Sequence, residues 1–333
     1  MDNITHTLTG LMLSRSGIDR KVARAAPMMM IAANLPDVDG APFFWSATDY
    51  IHWHRGYPHS LLIAPLMALI PPLLFLLFKK QRITLWAYGA SLMGLLSHIA
   101  LDSTNIYGIR LLMPISSRWF RLDTTDLFDP WILGALFLAL AAPALARLVG
   151  SEIASKNVKS GPRRGWAWFA LIAVVSYDGV RFAAHERAVA EMSAHLVNGT
   201  IPRRLSALPR GTTPLLWKGV AEGSTAESGN FVQIAPIDLS EPYDPTAGRI
   251  DYSALPANGT NPMIEAARAS EAFRIFADFD RLPFWKVTPS ADGTLVELID
   301  LRFGSPQHPG FEASARVDAN GAVHDPQVRF GRR

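Results

Sequence analysis

The sequence predicts a mainly α, membrane-embedded helical bundle over residues 1–184, followed by a soluble α+β domain over 185–333. Three observations predict it. Several stretches without charge approach the length needed to cross a bilayer core of about 30 Å, roughly 20 helical residues. Ionisable His and Asp residues gather where those stretches end. Beyond residue 185 the apolar runs shorten, and Pro, Gly, Asp and Asn become frequent. With 49% hydrophobic and 18% charged residues among 333, the mean hydropathy of +0.14 is high for an ordinary soluble chain and low for one embedded throughout.

Taken in order, THTLTGLMLS at 5–14 and AAPMMMIAANLP at 25–36 each reach about half the length of a span, so residues 5–36 are expected to form a re-entrant helical hairpin. The uncharged SLLIAPLMALIPPLLFLLF at 60–78 is the first full span, because prolines are tolerated in membrane helices. ITLWAYGASLMGLLSHIAL at 83–101 follows after KKQR and returns antiparallel to it. A third span is expected over 130–148, opened by Asp129 as N-cap and Pro130 at the first helical position. The fourth covers 165–184. Downstream, NPMIEAARASEAFRIFADF reads as one helix and TLVELIDLRF as a strand. ADG at 291–293 and the Asn-Gly of ASARVDANGAVHD mark hairpin turns.

The basic residues orient these spans. Arg15, Arg20, Lys21, Arg24, Lys79, Lys80, Arg82, Arg147, Lys156, Lys159, Arg163 and Arg164 fall on one side, against Arg55, Arg110, Arg118 and Arg121 on the other. The positive-inside rule then makes the first group cytoplasmic and places the domain from 185 onward outside an inner membrane. A net charge of +3 is too small to indicate nucleic acid as a partner. Cys is absent, which excludes disulfides, thiolate zinc sites and Cys nucleophiles, so any metal must be held by His, Asp or Glu.

His98 and Asp102 stand at i and i+4, on one face of a helix, where two side chains can grip one cation or two adjacent ones. The plain structural alternative is a buried His–Asp pair. Asp37 and Asp39 sit in LPDVDG, on a turn between a Pro and a Gly, where they either ligate or turn the chain; the ligand ladder of a calcium-binding loop does not follow. HRGYPHS presents His54 and His59 from a loop, with Arg55 available to a phosphate. His52 belongs with Tyr50 and Trp53 in an interfacial aromatic belt. His6 shares the same outer face. Asp123 and Asp126 read as loop residues with a lesser claim on a metal. The expected metal ligands are therefore His6, Asp37, Asp39, His54, His59, His98 and Asp102. This oxygen and nitrogen set suits Zn²⁺ first and Mn²⁺ or Fe²⁺ next, with enough donors for two ions. Two close divalent cations suit hydrolysis at a phosphoryl centre.

Together, THTLTG, NLPDVDG, HRGYPHSLL and SHIALDSTNIYGIRLLMP resemble the membrane-bound metal-dependent hydrolases of the YdjM type over about residues 1–150. That group is distantly similar to zinc-dependent phospholipase C and the S1/P1 nucleases. The resemblance implies that His98 and Asp102 match their metal-bridging His-x-x-x-Asp pair, with His6, Asp37 or Asp39, and His59 as counterparts of other ligands. It departs in lacking their later His-x-x-x-Glu pair.

The expected function is a metal-dependent hydrolase cleaving a phosphoester of a lipid or lipid-linked molecule at the outer leaflet. Whichever of Asp37 and Asp39 is not a ligand would act as general base, with Arg55 orienting phosphate. A nuclease or soluble-phosphoester hydrolase is the first rival. A non-catalytic metal-binding scaffold or transporter is the second, although the polar groups gather at one face and do not line a path through the spans.

Overall fold

The computed structural model describes residues 1–153, 163–225, 229–253 and 261–331. The chain divides into two compact units. The first holds Met1–Val38, Arg55–Glu186 and Pro209–Pro214; the second holds Asp39–His54, Arg187–Leu208 and Leu215–Arg333.

The first unit contains α1 (Asn3–Arg15), α2 (Ala25–Ala32), α4 (Ala64–Met67), α5 (Ile70–Lys79), α6 (Leu85–Thr104), α7 (Pro130–Ile153) and most of α8 (Arg163–Ser193), with α3 (Ala47–Trp53) assigned to the second. Asp2 caps α1 by accepting from the amides of Ile4 and Thr5, and Thr84 caps α6 through the Ala87 amide. The core is built around α6. Ala87 and Ala90 pack with Met28, Met29 and Phe75 of α2 and α5. Leu95 and Ile99 pack with Ala64 and Ile109. In the last turn, Leu101 joins Leu8, Met12, Ile132, Leu136 and Val174 from α1, α7 and α8.

These packings correct the expectation of a multi-helix membrane bundle. Among the described residues, α8 is the one helix long and apolar enough to cross a bilayer. The number reaches two only if Ala47–His59 and Ala64–Lys79, bent by 82°, are counted as one broken span. Two four-stranded sheets account for much of the remainder. Each departure has a physical cause. Residues 60–78 break into α4 and α5, because Pro65 and the Pro71–Pro72 pair are accommodated in the first turn of a helix, where a missing amide donor costs nothing. The 83–101 stretch is one helix, α6, but Ala87, Ala90, Leu95 and Ile99 turn to protein partners. The apolar part of α7, Pro130–Ala146, is short for a span. Met12, Met28 and Met29 of the expected re-entrant hairpin are fully buried against protein. Lys156 and Lys159, used in the charge argument, lie outside the described residues.

Two polar side chains of α8, Arg181 and Tyr177, bond to neighbouring segments. Arg181 donates from Nε to the Thr124 carbonyl at 2.6 Å, and the Tyr177 hydroxyl donates to Asp129 at 2.9 Å. The other Asp129 oxygen caps α7, accepting from the Trp131 and Ile132 amides as expected.

The second unit carries two antiparallel sheets. One is β1 (Arg204–Pro209), β2 (Leu216–Thr225), β3 (Gly229–Asp238) and β4 (Ile250–Ser253), adjacent in that order. The other is β5 (Pro283–Ser290), β6 (Gly293–Asp300), β7 (Phe311–Val317) and β8 (Val323–Phe330), also in sequence order. Helices α9 (Pro262–Ala269) and α10 (Glu271–Phe279) pack on the second sheet, burying Phe273, Phe276 and Phe279. They were expected as one helix. Ser270 separates them with an extended ψ of 152°. The turn at 291–293 joins β5 to β6, and the turn around Asn320–Gly321 joins β7 to β8, where the Asp318 carboxylate accepts from the amides of Asn320 and Ala322.

Candidate metal centre

One helix and two short segments bring four donors together. His98 and Asp102 come from the last turns of α6, His59 from a single 3₁₀ turn over Tyr57–His59, and Asp37 from the 3₁₀ stretch Leu35–Phe44. One donor atom from each lies within 4.8 Å of the others. Five of the six separations are short. His59 Nε2 lies 3.1 Å from His98 Nε2, 3.5 Å from Asp37 Oδ1 and 3.6 Å from Asp102 Oδ2. His98 Nε2 lies 3.6 Å from Asp37 Oδ1 and 3.5 Å from Asp102 Oδ2. A tetrahedral ion with bonds of about 2.0–2.1 Å sets its ligands about 3.3 Å apart, so these are the edges expected around such an ion.

Close helix packing places the imidazoles. Gly10 on α1 and Gly94 on α6 both face Met29 of α2; a Cβ would stand 2.7 Å from its carbonyl oxygen at Gly10 and 3.0 Å at Gly94. His6 is one turn before Gly10 and His98 one turn after Gly94, so the same close approach brings the two rings into a stack with centroids 3.8 Å apart. The Ala33 carbonyl, at the end of α2, takes the Nδ1 side of His98 at 2.7 Å and leaves Nε2 toward the other donors. His6 is fully buried, and neither ring nitrogen has a hydrogen-bond partner; its Nε2 is 3.3 Å from Asp102 Oδ1. Such a group is costly without a partner, and a cation beside Asp102 Oδ1 supplies one. The residues therefore fit a metal on two counts: the donor geometry and the orphaned imidazole.

Arg55 does not stand free for a phosphate. Its guanidinium is buried, 3.1 Å from Asp102 Oδ2, and donates to Asn105 Oδ1 at 3.0 Å and the Gly108 carbonyl at 3.3 Å over the Tyr107 ring. Asn105 is the residue the motif reading passed over. Its Oδ1 also accepts from the Tyr107 and Gly108 amides, an Asx turn signalled by the Asn-x-x-Gly spacing. The Met1 amino group pairs with Asp102 Oδ1. For the Asp102 carboxyl, burial alone would raise the pKa, but the charges of Arg55, the amino group and His98 outweigh it and hold it well below the usual range. At Asp37 burial likewise opposes ionisation, and the contact with His59 and the charge of His98 overcome it. Burial, with His98 beside it, pushes His6 down to about 3. Carboxylates stay ionised and His6 stays neutral, the states a cation requires.

A model of the YdjM inner membrane protein family matches residues 1–188, which include His6, Arg55 and all four converging donors. The chain belongs to this family. A second model, the YfhP C-terminal alpha/beta plait domain, matches residues 262–330, from α9 to β8. The chain is 23% identical to the uncharacterized protein YfhP of Bacillus subtilis (strain 168), over 99% of its own length and 93% of that protein's. No solved structure matches it. Membership in the YdjM family places the protein at a membrane.

Two further residues singled out in the sequence, Asp39 and His54, belong to the second unit, where they meet each other. His54 Nδ1 is 2.9 Å from Asp39 Oδ1. Asp123 adopts a positive φ of 56°, and Asp126 accepts from the Leu127 amide, as loop residues do.

Proposed function

We propose that this YdjM-family chain is a membrane-bound metal-dependent hydrolase that cleaves a phosphoester of a lipid or lipid-linked molecule. The observation that carries the reading is the set of five donor separations between 3.1 and 3.6 Å around Asp37, His59, His98 and Asp102. Two imidazoles and two carboxylates suit Zn²⁺ first, then Mn²⁺ or Fe²⁺. His6, 3.3 Å from Asp102, would with that carboxylate hold a second ion. Bound divalent cations supply a nucleophile from water at neutral pH and neutralise charge on a phosphoryl oxygen.

The chain's own residues do the positioning. Arg55 and Asn105 hold the Asp102 carboxylate, and Ala33 holds the His98 ring. Of the four donors only Asp37 has an exposed side chain, at 14%, so substrate approaches on its side. The mixed imidazole and carboxylate donor set supports the reaction class, and membership in a membrane family supports a lipid substrate.

The test is elemental analysis of purified protein together with hydrolysis of a phosphoester panel, presented as lipid in mixed micelles and as soluble esters. Stoichiometric metal with turnover of the lipid esters is expected. Turnover confined to soluble esters or nucleic acid would replace the lipid reading, and metal without turnover would leave a binding scaffold.

A further inference from the structure

Within the second unit, the segment from Gly40 to Thr48 reads GAPFFWSAT, carries no charge, and exposes its aromatic residues. Phe44 is 85% exposed, Trp45 67% and Phe43 58%. A lone exposed Phe needs no explanation; three successive large aromatics open to solvent do. Trp53, at the end of α3, is 51% exposed as well.

The segment is pinned from beneath. Tyr50 stacks on His54 with centroids 4.5 Å apart, His54 is held by Asp39, and Tyr50 meets the Phe330 ring edge-on at 5.3 Å. Phe43 lies against both Tyr50, at 5.6 Å, and Phe330, at 6.2 Å. Phe44 and Trp45 are therefore carried outward on a preformed base, with their ordering cost met by contacts that involve neither side chain.

We infer that Phe44 and Trp45 insert into the headgroup and upper acyl region of the lipid bilayer. Three points select lipid as the occupant. The chain belongs to an inner membrane protein family, so a bilayer is at hand. Trp and Phe without charge are the residues that settle at a membrane–water interface. A protein interface would carry a polar rim. Here the only hydroxyls between Gly40 and Thr48 are Ser46 and Thr48, and Ser46 is already engaged as the α3 cap with the Asp49 amide. The inference goes beyond the hydrolase reading and does not depend on it. Along the chain, the wedge falls between two metal donors, Asp37 and His59.

A chain without cysteine allows a direct test on the full-length protein. Phe44→Cys, and Trp45→Cys as a second variant should the first fail to fold, are labelled with an environment-sensitive fluorophore. Asp292→Cys, in the β5–β6 turn where the native side chain is 80% exposed, serves as the water-facing reference. The proteins are reconstituted into vesicles of phosphatidylethanolamine and phosphatidylglycerol. Emission from position 44 or 45 is expected at shorter wavelength than from 292, with quenching by lipids carrying a shallow nitroxide and protection from aqueous iodide. Iodide quenching equal to that at 292 would overturn the inference. Protection from both quenchers would also overturn it, by showing that protein covers the wedge. Neither reading requires bound metal or turnover, so failure here leaves the hydrolase reading standing, and the reverse holds too.

Discussion

The Nε2 atoms of His59 and His98 face each other across 3.1 Å, and neither residue's side chain is exposed. With the Nδ1 side of His98 committed to the Ala33 carbonyl, its Nε2 carries a lone pair if the ring is neutral, so the contact is either a single shared proton or two lone pairs on one cation. Asp37 and Asp102 oxygens lie within 3.6 Å of both nitrogens, which puts oxygen donors where a cation between the rings would take them.

Asp102→Asn separates these states. The amide keeps the shape and can hydrogen-bond His98, so a purely structural pair would lose little, about 1 kcal/mol. If Asp102 balances a divalent cation, metal affinity falls by at least about tenfold while insertion and yield persist. Metal per protein after matched purification of wild type, Asp102→Asn and His98→Ala reads the result. Unchanged metal in both variants would defeat the proposal.

Arg55→Lys tests the support of Asp102. An ammonium cannot reach Asp102, Asn105 and the Gly108 carbonyl together as the planar guanidinium does. Metal affinity should drop about 10-fold to 100-fold, with the donors all present. Titration with a competing chelator measures it, and an unaltered affinity would show that Arg55 does not position the carboxylate.

Two glycines in helices give opposite outcomes. Gly10→Ala forces a Cβ to within 2.7 Å of the Met29 carbonyl oxygen, so α1 must move and take His6 with it; both the thermal midpoint and metal content should fall. Gly134→Ala on α7 meets nothing within 4 Å and should stabilise by up to about 1 kcal/mol through helix propensity alone. Thermal unfolding in detergent compares the two. Equal behaviour would mean that the α1–α2 approach does not place His6.

The second unit carries its own pH signature. Burial, with the Asp300 charge adding to it, raises the Asp280 carboxyl well above its usual value, and Arg302 offsets only part of this. An unfolded Asp titrates near about 3.9, so above that pH the folded unit holds a proton that the unfolded chain has lost. Its stability contribution is full below the unfolded value and declines as pH rises toward the folded one. Asp280→Asn keeps the contact to the Leu282 amide, made by Asp280 Oδ1 at 3.0 Å, and removes the titration. The variant should unfold at higher temperature at neutral pH, with a flatter dependence on pH. A wild-type midpoint that rises between pH 5 and 7 without change in the variant's advantage would contradict this.

Much of the site was legible because its signals are local. The i, i+4 spacing of His98 and Asp102 places them on one helical face wherever that helix packs, and the Pro and Gly around HRGYPHS mark a loop able to turn His59 inward. Asp129–Pro130 marks a helix start, and Asn320–Gly321 a hairpin, for the same reason. The reading failed where the outcome depended on what lay opposite. An apolar run such as 83–101 has the same composition whether it meets lipid or Met28, Met29 and Leu8. Likewise, LPDVDG offers two carboxylates two residues apart, and no local rule says that Asp37 turns to His59 while Asp39 turns to His54.

Sequence alone settles the absence of thiolate chemistry, the donor types, the helical face of His98 and Asp102, and the turns. Tertiary structure decided which donors meet, because the choice rests on contacts between residues far apart in the chain. Gly10 and Gly94 contribute nothing recognisable until α2 lies between them, and Arg55 looks available to a phosphate until Asp102, Asn105 and Gly108 close around it. Those contacts follow from the packing of all the helices at once, whose energy is shared among many side chains and written in no single motif.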